Sequence, residues 1–328
     1  MSFGAHAIDR LFHSLDVTVV ATSRTPYWLL VAGHALAAVE ATRDFSRYWL
    51  VSLVVACLAG FGGGTLSALL IQAQNPAAAV VGLLGKNEVG IAFVAAWWLF
   101  HFAPGRLAAR AWDGLPPLRA AAKACRAVLR ANTIVHRVNA AVAVYPGVLA
   151  APLLLGTLGG AGGRLTVDAF AYCAGYKQGP SELSHPSYSL RSAGTCALLQ
   201  YLLVHVLGVL SGRQGLGLVI AIHLAHSAAS ELTGSPCDYT LPLARLFYKI
   251  TRIPDPATIP AWAATLPKPR TPRAANGAAA AAAKKAAQGA NGAGVGAVTP
   301  RRTNGAEDGV TPRRTPRRRV AAAAAKSE

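Results

Sequence analysis

The sequence predicts an all-α membrane protein with seven transmembrane helices, and three observations lead there. Of its 328 residues, 53% are hydrophobic and 14% charged, and mean hydropathy is +0.35. A typical soluble domain has about 25% charged residues. Apolar stretches near the ~20 residues needed to cross a bilayer recur along the chain. The basic residues between those stretches also fall unevenly on alternate sides.

The first stretch, at 17–40, is interrupted by Arg24 and Pro26. The second runs from Tyr48 to Gln72 and the third from Asn87 to Ala103. The fourth, at 118–141, carries Lys123, Arg126, Arg130 and Arg137 but is otherwise rich in Ala and Val. Val142 to Gly163, Leu190 to Leu210 and Gln214 to Thr233 complete the seven. Asp9 and Asp16 interrupt the N-terminal segment, so no cleaved secretory signal is expected and the first span is its own targeting signal.

Placing the N-terminus on the lumenal side puts Arg43, Arg47, Arg106, Arg110, Arg119, Lys123, Arg164, Lys177 and Arg191 on the cytoplasmic side. Arg10, Arg24, Lys86, Arg137 and Arg213 fall opposite. This bias supports seven spans and a cytoplasmic C-terminus; six spans would put a basic cluster on the wrong face. The expected body is 1–256. Residues 257–328 are Ala, Pro, Gly, Arg and Lys with few large apolar side chains, and they contain Val298-Thr-Pro-Arg-Arg and Val310-Thr-Pro-Arg-Arg. That composition cannot offset its ordering entropy, so a disordered basic tail is expected. It holds 13 basic and 3 acidic residues, net +10, leaving the body at +8. Thr271, Thr299, Thr311 and Thr315 precede prolines and are candidate phosphorylation sites that would weaken attraction to an anionic leaflet. The expected partner for the charge is anionic membrane lipid, with no nucleic acid.

Cys57, Cys125, Cys173, Cys196 and Cys237 form no C-x-x-C pair and read as packing residues. There is no G-x-S-x-G, H-E-x-x-H or P-loop, so no catalytic residue and no enzyme activity is expected. His223, His226 and Glu231 share helical spacings of a metal set, though polar packing between helices is the plainer reading, and no metal is expected.

Two glycine clusters lie inside spans: Gly62, Gly63 and Gly64 in the second, and Gly159, Gly160, Gly162 and Gly163 near the end of the fifth. Each glycine costs a helix about 1 kcal/mol relative to alanine. Close helix packing would explain the clusters. So would a kink or unwound turn lining a watery cavity. The clusters occupy the middle helix of the first three spans and of the next three, and units of three spans must be inverted relative to each other. Two inverted three-helix repeats plus a seventh helix place a permeation pathway at the midplane.

On the fourth helix, setting Lys123 at zero puts Arg126, Arg137 and Arg130 at about 300°, 320° and 340°, one cationic stripe. Asn132, His136 and Asn139 fall at about 160–220°. Ala131, Ile134, Val135, Val138 and Val142 form an arc suited to lipid or protein packing. Lys123, Arg126 and Arg130 suit an anionic headgroup, either bound or met by snorkelling at the interface. Thr65, Ser67, Asn132 and His136 are the candidate polar groups of the pathway, beside glycine carbonyls that would face a partly hydrated cation.

The runs Phe61-Gly-Gly-Gly-Thr-Leu-Ser-Ala-Leu-Leu, Phe102-Ala-Pro, Arg126-x-x-x-Arg130 and Gly159-Gly-Ala-Gly-Gly resemble the trimeric intracellular cation (TRIC) channels in order and spacing, over residues 26–233. The resemblance implies a homotrimer in the endoplasmic reticulum membrane, each protomer with its own pore. It also implies potassium conduction as counter-ion current during calcium release, with phosphatidylinositol 4,5-bisphosphate at Arg126 and Arg130. The family's kinked second and fifth helices correspond to Gly62–Gly64 and Gly159–Gly163. The chain departs from animal members at Gly159, where they have Arg, at Ala127, and in lacking an acidic residue in Pro26-Tyr-Trp-Leu-Leu. A secondary transporter is the alternative class, since it shares inverted repeats; a coupled carrier needs a buried carboxylate, for which Glu88 and Glu231 are the candidates.

Overall fold

The computed structural model describes residues 2–43, 45, 48–72, 87–176, 181–235 and 237–252. All of them lie in the first of two units, 1–267 and 268–328. The expected tail with its Thr-Pro steps lies outside the described residues, as do Arg47, Lys86 and Lys177.

Every regular element among the described residues is helical. The stretch expected as one first span, 17–40, takes in the end of α1 (Ser2–Ser23), which starts well before it, and the whole of α2 (Tyr27–Glu40). Pro26 caps α2 with φ −55° and ψ 134°. A proline bars the preceding residue from helical geometry but suits the start of a new helix, so the chain breaks there. Then come α3 (Trp49–Ile71) and α4 (Asn87–His101). A 3₁₀ turn at Pro104–Arg106 follows, with Gly105 at φ +63°, and leads into the short α5 (Leu107–Gly114).

The fourth predicted span is α6 (Pro116–Val144), and the fifth is α7 (Ala150–Cys173). The expected fifth span, 142–163, was placed too early: α6 keeps its helical pattern to Val144, and the turn comes at Gly147, φ +79°. The second glycine cluster therefore sits in the middle of α7. A single turn, α8 (Ser181–Ser184), precedes α9 (Tyr188–Gln200), which continues as a π-helical turn at Tyr201–Val206. The seventh span is α10 (Gly212–Thr233). Ser211 and Gln214 cap it reciprocally: Ser211 Oγ accepts from Gln214 N at 3.2 Å, and Gln214 Oε1 accepts from Ser211 N at 3.0 Å. The last helix among the described residues is α11 (Thr240–Thr251), which hydropathy does not predict.

The helices α2, α3 and α4 form the first three-helix unit, α6, α7 and α9 the second, and α10 the seventh span. An odd number of crossings inverts the second unit relative to the first. Their middle members, α3 and α7, make the most extensive helix pairing among the described residues. One core cluster joins α2, α3, α4 and α5 through Val39, Ala56, Phe93, Trp97 and Trp112. Another joins α6, α7, α9 and α10 through Ile134, Val138, Ala161, Ala197 and Ile220. The α6 arc of Ala131, Ile134, Val135 and Val138 is buried, so it serves protein packing, not lipid.

The outside is apolar. Trp49–Ile71 and Gly212–Thr233 are each long and apolar enough to cross a membrane, yet only 33% and 28% of their most apolar windows are buried. A core helix of a soluble protein would be mostly buried. Trp28, Ile91, Trp98 and Leu154 are also exposed, and a hydrocarbon solvent accounts for such a surface.

Candidate functional site: an arginine-capped cavity at the glycine crossing

Helices α3 and α7 are continuous through both glycine clusters. The unwound turn is therefore not what the glycines provide in this structure; close approach is. A Cβ on Gly63 would stand 2.7 Å from Leu158 O and 2.8 Å from Gly159 O. On Gly162 it would stand 2.6 Å from the Gly63 Cα, and on Gly163 2.4 Å from Ala59 O. On Gly62 it would meet the Thr166 hydroxyl. The two backbones touch, which only glycine at these positions permits. Gly160 serves the other face of α7, against Ile134 of α6. Gly64 differs, because a Cβ there meets nothing within 4 Å.

Gly64 faces a partly open cavity of about 330 Å³ lined mainly by α2, α3, α6 and α7. Its wall carries Gly60, Gly63, Gly64, Gly159, Gly160 and Gly163 beside Arg126, Arg130, Arg137 and Arg164, with His34, Thr133 and His136. The α6 residues among these are Arg126, Arg130 and Arg137 of the cationic stripe with Thr133 and His136, so that side of α6 faces inward.

Arg137, Arg130 and His34 meet glycine carbonyls, and Arg126 meets a carbonyl of α2. Arg137 Nη2 donates to Gly64 O at 3.1 Å, and its buried Nε has no partner. Arg130 Nε donates to Gly160 O at 2.9 Å, while its Nη2 reaches Ser189 O and, at 3.0 Å, Ser192 Oγ. Arg126 Nη1 donates to Ala37 O at 3.2 Å, in the last turn of α2, where a helix C-terminus favours a cation. His34 Nε2 lies 3.1 Å from Gly60 O, a contact that needs its proton on Nε2. Of the residues whose carbonyls are held in this way, Gly60, Gly64, Gly160 and Ser189 line the cavity. Gly159 leaves room for the Arg137 stem: a Cβ there would lie 2.9 Å from Arg137 Cγ.

Of the four expected polar lining groups, His136 lies on the cavity wall and three lie elsewhere. Thr65 lines an apolar groove of about 810 Å³ between α3 and α4. Ser67 is fully buried and donates back to Gly63 O at 2.8 Å. Asn132 faces α1 and α10 beside Ser23 and Ile220, and donates to Val128 O at 2.9 Å. All three are polar residues that a helix's own backbone can satisfy, so polarity alone did not give their facing.

Lys123 does not join Arg126 and Arg130. It pairs with Glu231 of α10, which Arg119 also holds at 2.7 Å. Glu231 is therefore not beside His223 and His226 as a metal set: His223 is buried, and His226 stacks on Tyr188 at 3.9 Å. Among the described residues no group of three ligating side chains gathers. Sequence reasoning missed two buried carboxylates. Glu182 pairs with Arg164 at 2.6 Å at the cavity's edge. Asp168 accepts from Glu182 N at 3.0 Å and from Ser181 Oγ at 2.7 Å. Arg164 stands four residues before Asp168, a spacing that suggests those two as a pair, but it reaches Glu182 of α8 instead.

The family model for the TRIC channel matches residues 38–226. A search of curated proteins finds no match. Among solved structures the chain is similar to one from a study of TRIC counter-ion channels in calcium release, with TM-score 0.57 and 23% identity over 66% of this chain and 98% of that one. It is also similar to a trimeric intracellular cation channel from C. elegans. The structure of that channel without Ca2+ gives TM-score 0.55 and 17% identity over 66% of this chain and 96% of that one. The structure with bound Ca2+ gives 0.55 and 18% over 69% and 99%. These likenesses establish the shared all-helical fold, and the family is one of multi-pass membrane channels, not of enzymes. With more than half of its length matched by the family model, the chain belongs to the TRIC channel family.

Proposed function

We propose that the chain is a protomer of a homotrimeric channel for monovalent cations, above all potassium, in the endoplasmic reticulum membrane. Each protomer has its own pore, and the current it carries balances charge during calcium release. The observation that carries this reading is the glycine-walled cavity between α3, α6 and α7 in a chain of this family. The names of the solved relatives, counter-ion channels and trimeric intracellular cation channels, support it.

The cavity raises an electrostatic problem. A cation about 5–8 Å from a guanidinium is repelled by about 2–3 kcal/mol at an effective dielectric of about 20. Arg126, Arg130, Arg137 and Arg164 line one small space, and Glu182 offsets Arg164 alone. Phosphatidylinositol 4,5-bisphosphate at Arg126 and Arg130 would supply the missing negative charge. Arg126 makes one hydrogen bond and Arg130 three, which leaves N–H groups of both forks for phosphate oxygens. Lys123 contributes to that site only by leaving Glu231. The lipid is thus part of the conducting state, and Arg137 is a tethered cation that must leave Gly64 O before an ion passes.

The test is reconstitution of the purified chain in a planar bilayer under a potassium chloride gradient. Discrete openings that reverse near the potassium potential support the reading. Silence in the presence of phosphoinositide, with saturable solute uptake by the same preparation, would replace it with a carrier. If Arg126→Gln with Arg130→Gln left both lipid binding and current unchanged, the lipid's role would fall while the channel stood.

A further inference from the structure

We infer that α11 is an interfacial helix that lies on the anionic bilayer surface where α10 emerges. Its twelve residues span about 18 Å, too short to cross a hydrocarbon core of about 30 Å. Leu243, Leu246, Phe247 and Ile250 recur at helical spacing and share one face. They are 49%, 52%, 54% and 71% exposed, and Thr240 alone among the helix residues is buried. Arg245 and Lys249 stand on the opposite side, and neither pairs with a carboxylate among the described residues. Arg252 follows at the C-cap. An apolar stripe backed by basic residues, of low overall hydrophobicity, is the pattern of a helix lying in the plane of a membrane.

The root of the helix is held against the membrane body. Six residues separate Thr233 from Thr240, about 20 Å of fully extended chain, so α11 starts near the bilayer whatever path the link takes. Arg191 of α9 pairs with Asp238 and donates to Thr240 Oγ1 at 3.1 Å. Asp238 in turn accepts from Thr240 N at 3.0 Å. The Tyr239 ring packs edge-on against Tyr188 at 5.6 Å and His226 at 6.0 Å. A helix clamped by its first turn beside a membrane, with a bare apolar face and unpaired basic residues, fits an anionic leaflet in both respects. Arg191 and Tyr188 share the first turn of α9 with Ser189 and Ser192, the acceptors of Arg130. A surface helix there is mechanically linked to the cavity wall.

This inference needs the chain to be in a membrane but is independent of the ion it conducts. The experiment places an environment-sensitive fluorescent amino acid at residue 246, 247, 245 or 249 of the full chain. The protein is reconstituted into phosphatidylcholine vesicles with or without phosphatidylserine. Quenching by lipids with brominated tails is compared with quenching by aqueous iodide. Probes at 246 and 247 should be quenched by lipid and shielded from iodide, more strongly with phosphatidylserine, while probes at 245 and 249 show the reverse. Phe247→Glu with Ile250→Glu should abolish lipid quenching at 246, with the body's elution profile unchanged. Iodide quenching at all four positions in both lipids would overturn the proposal, as would shielding from both quenchers, which would mean packing on protein. A probe at Val94 of α4, exposed on the apolar outside, reports insertion itself. Failure there would refute membrane residence and not only the surface helix.

Discussion

Alanine at Gly163 and alanine at Gly64 are the same chemical change in the two glycine clusters, and the geometry predicts opposite results. At Gly163 the new methyl would sit 2.4 Å from Ala59 O, 3.1 Å from Ala59 C and 3.2 Å from Leu58 O. These are backbone atoms inside α3, so no rotamer relieves the overlap and the helices must part by about 1 Å. Overpacking of this kind costs about 1–3 kcal/mol. At Gly64 the methyl enters open space. Both variants share the gain of up to about 1 kcal/mol in helix propensity, so their difference isolates the steric term. At about 2–4 °C per kcal/mol for a body of this size, Gly163→Ala should melt roughly 2–12 °C below Gly64→Ala. The assay is the monodisperse fraction remaining after heating in detergent. Gly64→Ala should also lower unitary conductance, since its methyl narrows the cavity. A Gly163→Ala melting point at or above that of Gly64→Ala would refute backbone contact at the crossing.

Arg137→Gln should raise unitary cation conductance several-fold in bilayer recordings, because it removes a repulsion of about 2–3 kcal/mol beside the Gly64 carbonyl; an unchanged or lower conductance would contradict the tethered-cation reading. Arg130→Lys cannot reach Gly160 O, Ser189 O and Ser192 Oγ together, and should cost about 1–3 kcal/mol, read as a lower melting temperature. Glu231→Gln should change stability by less than about 1 kcal/mol while freeing Arg119 and Lys123, so phosphoinositide adducts counted by native mass spectrometry should increase. Burial works against the Asp238 charge, but hydrogen bonds from Thr240 and Arg191 outweigh it and hold the carboxyl below its usual 3.8. A depressed folded pKa means the clamp contributes fully above the unfolded value and is lost as pH falls through the folded one. A spin label at residue 250 should therefore gain mobility only below about pH 4, and Asp238→Asn should show that mobility at neutral pH.

Much of the architecture was legible because a bilayer makes few demands and the sequence meets them openly. Hydropathy located α2, α3, α4, α6, α7, α9 and α10 but only the end of α1, and the spacing of Arg126, Arg130 and Arg137 put them on one face of α6. The errors have local causes. The break at Pro26 was visible but read as an interruption, and the start of α7 was misplaced because an Ala-rich stretch carries no boundary before Gly147. Helix α11 escaped because an amphipathic surface helix never reaches the mean hydropathy of a span.

The sequence by itself determined that the chain is a helical membrane protein with two glycine-centred units, since segment length, apolar content and odd repeat number depend on no partner. It also determined which α6 residues share a face, since helical periodicity is a property of one helix. What those faces meet was decided only by tertiary structure. A glycine reads alike whether it unwinds a helix or admits a neighbour's backbone, and only the α3–α7 crossing shows the second. Likewise an arginine's spacing does not name its acceptor. Gly64 O and Gly160 O, the oxygens expected to face a cation, are held by Arg137 and Arg130 because these residues, distant in the chain, converge on one small cavity.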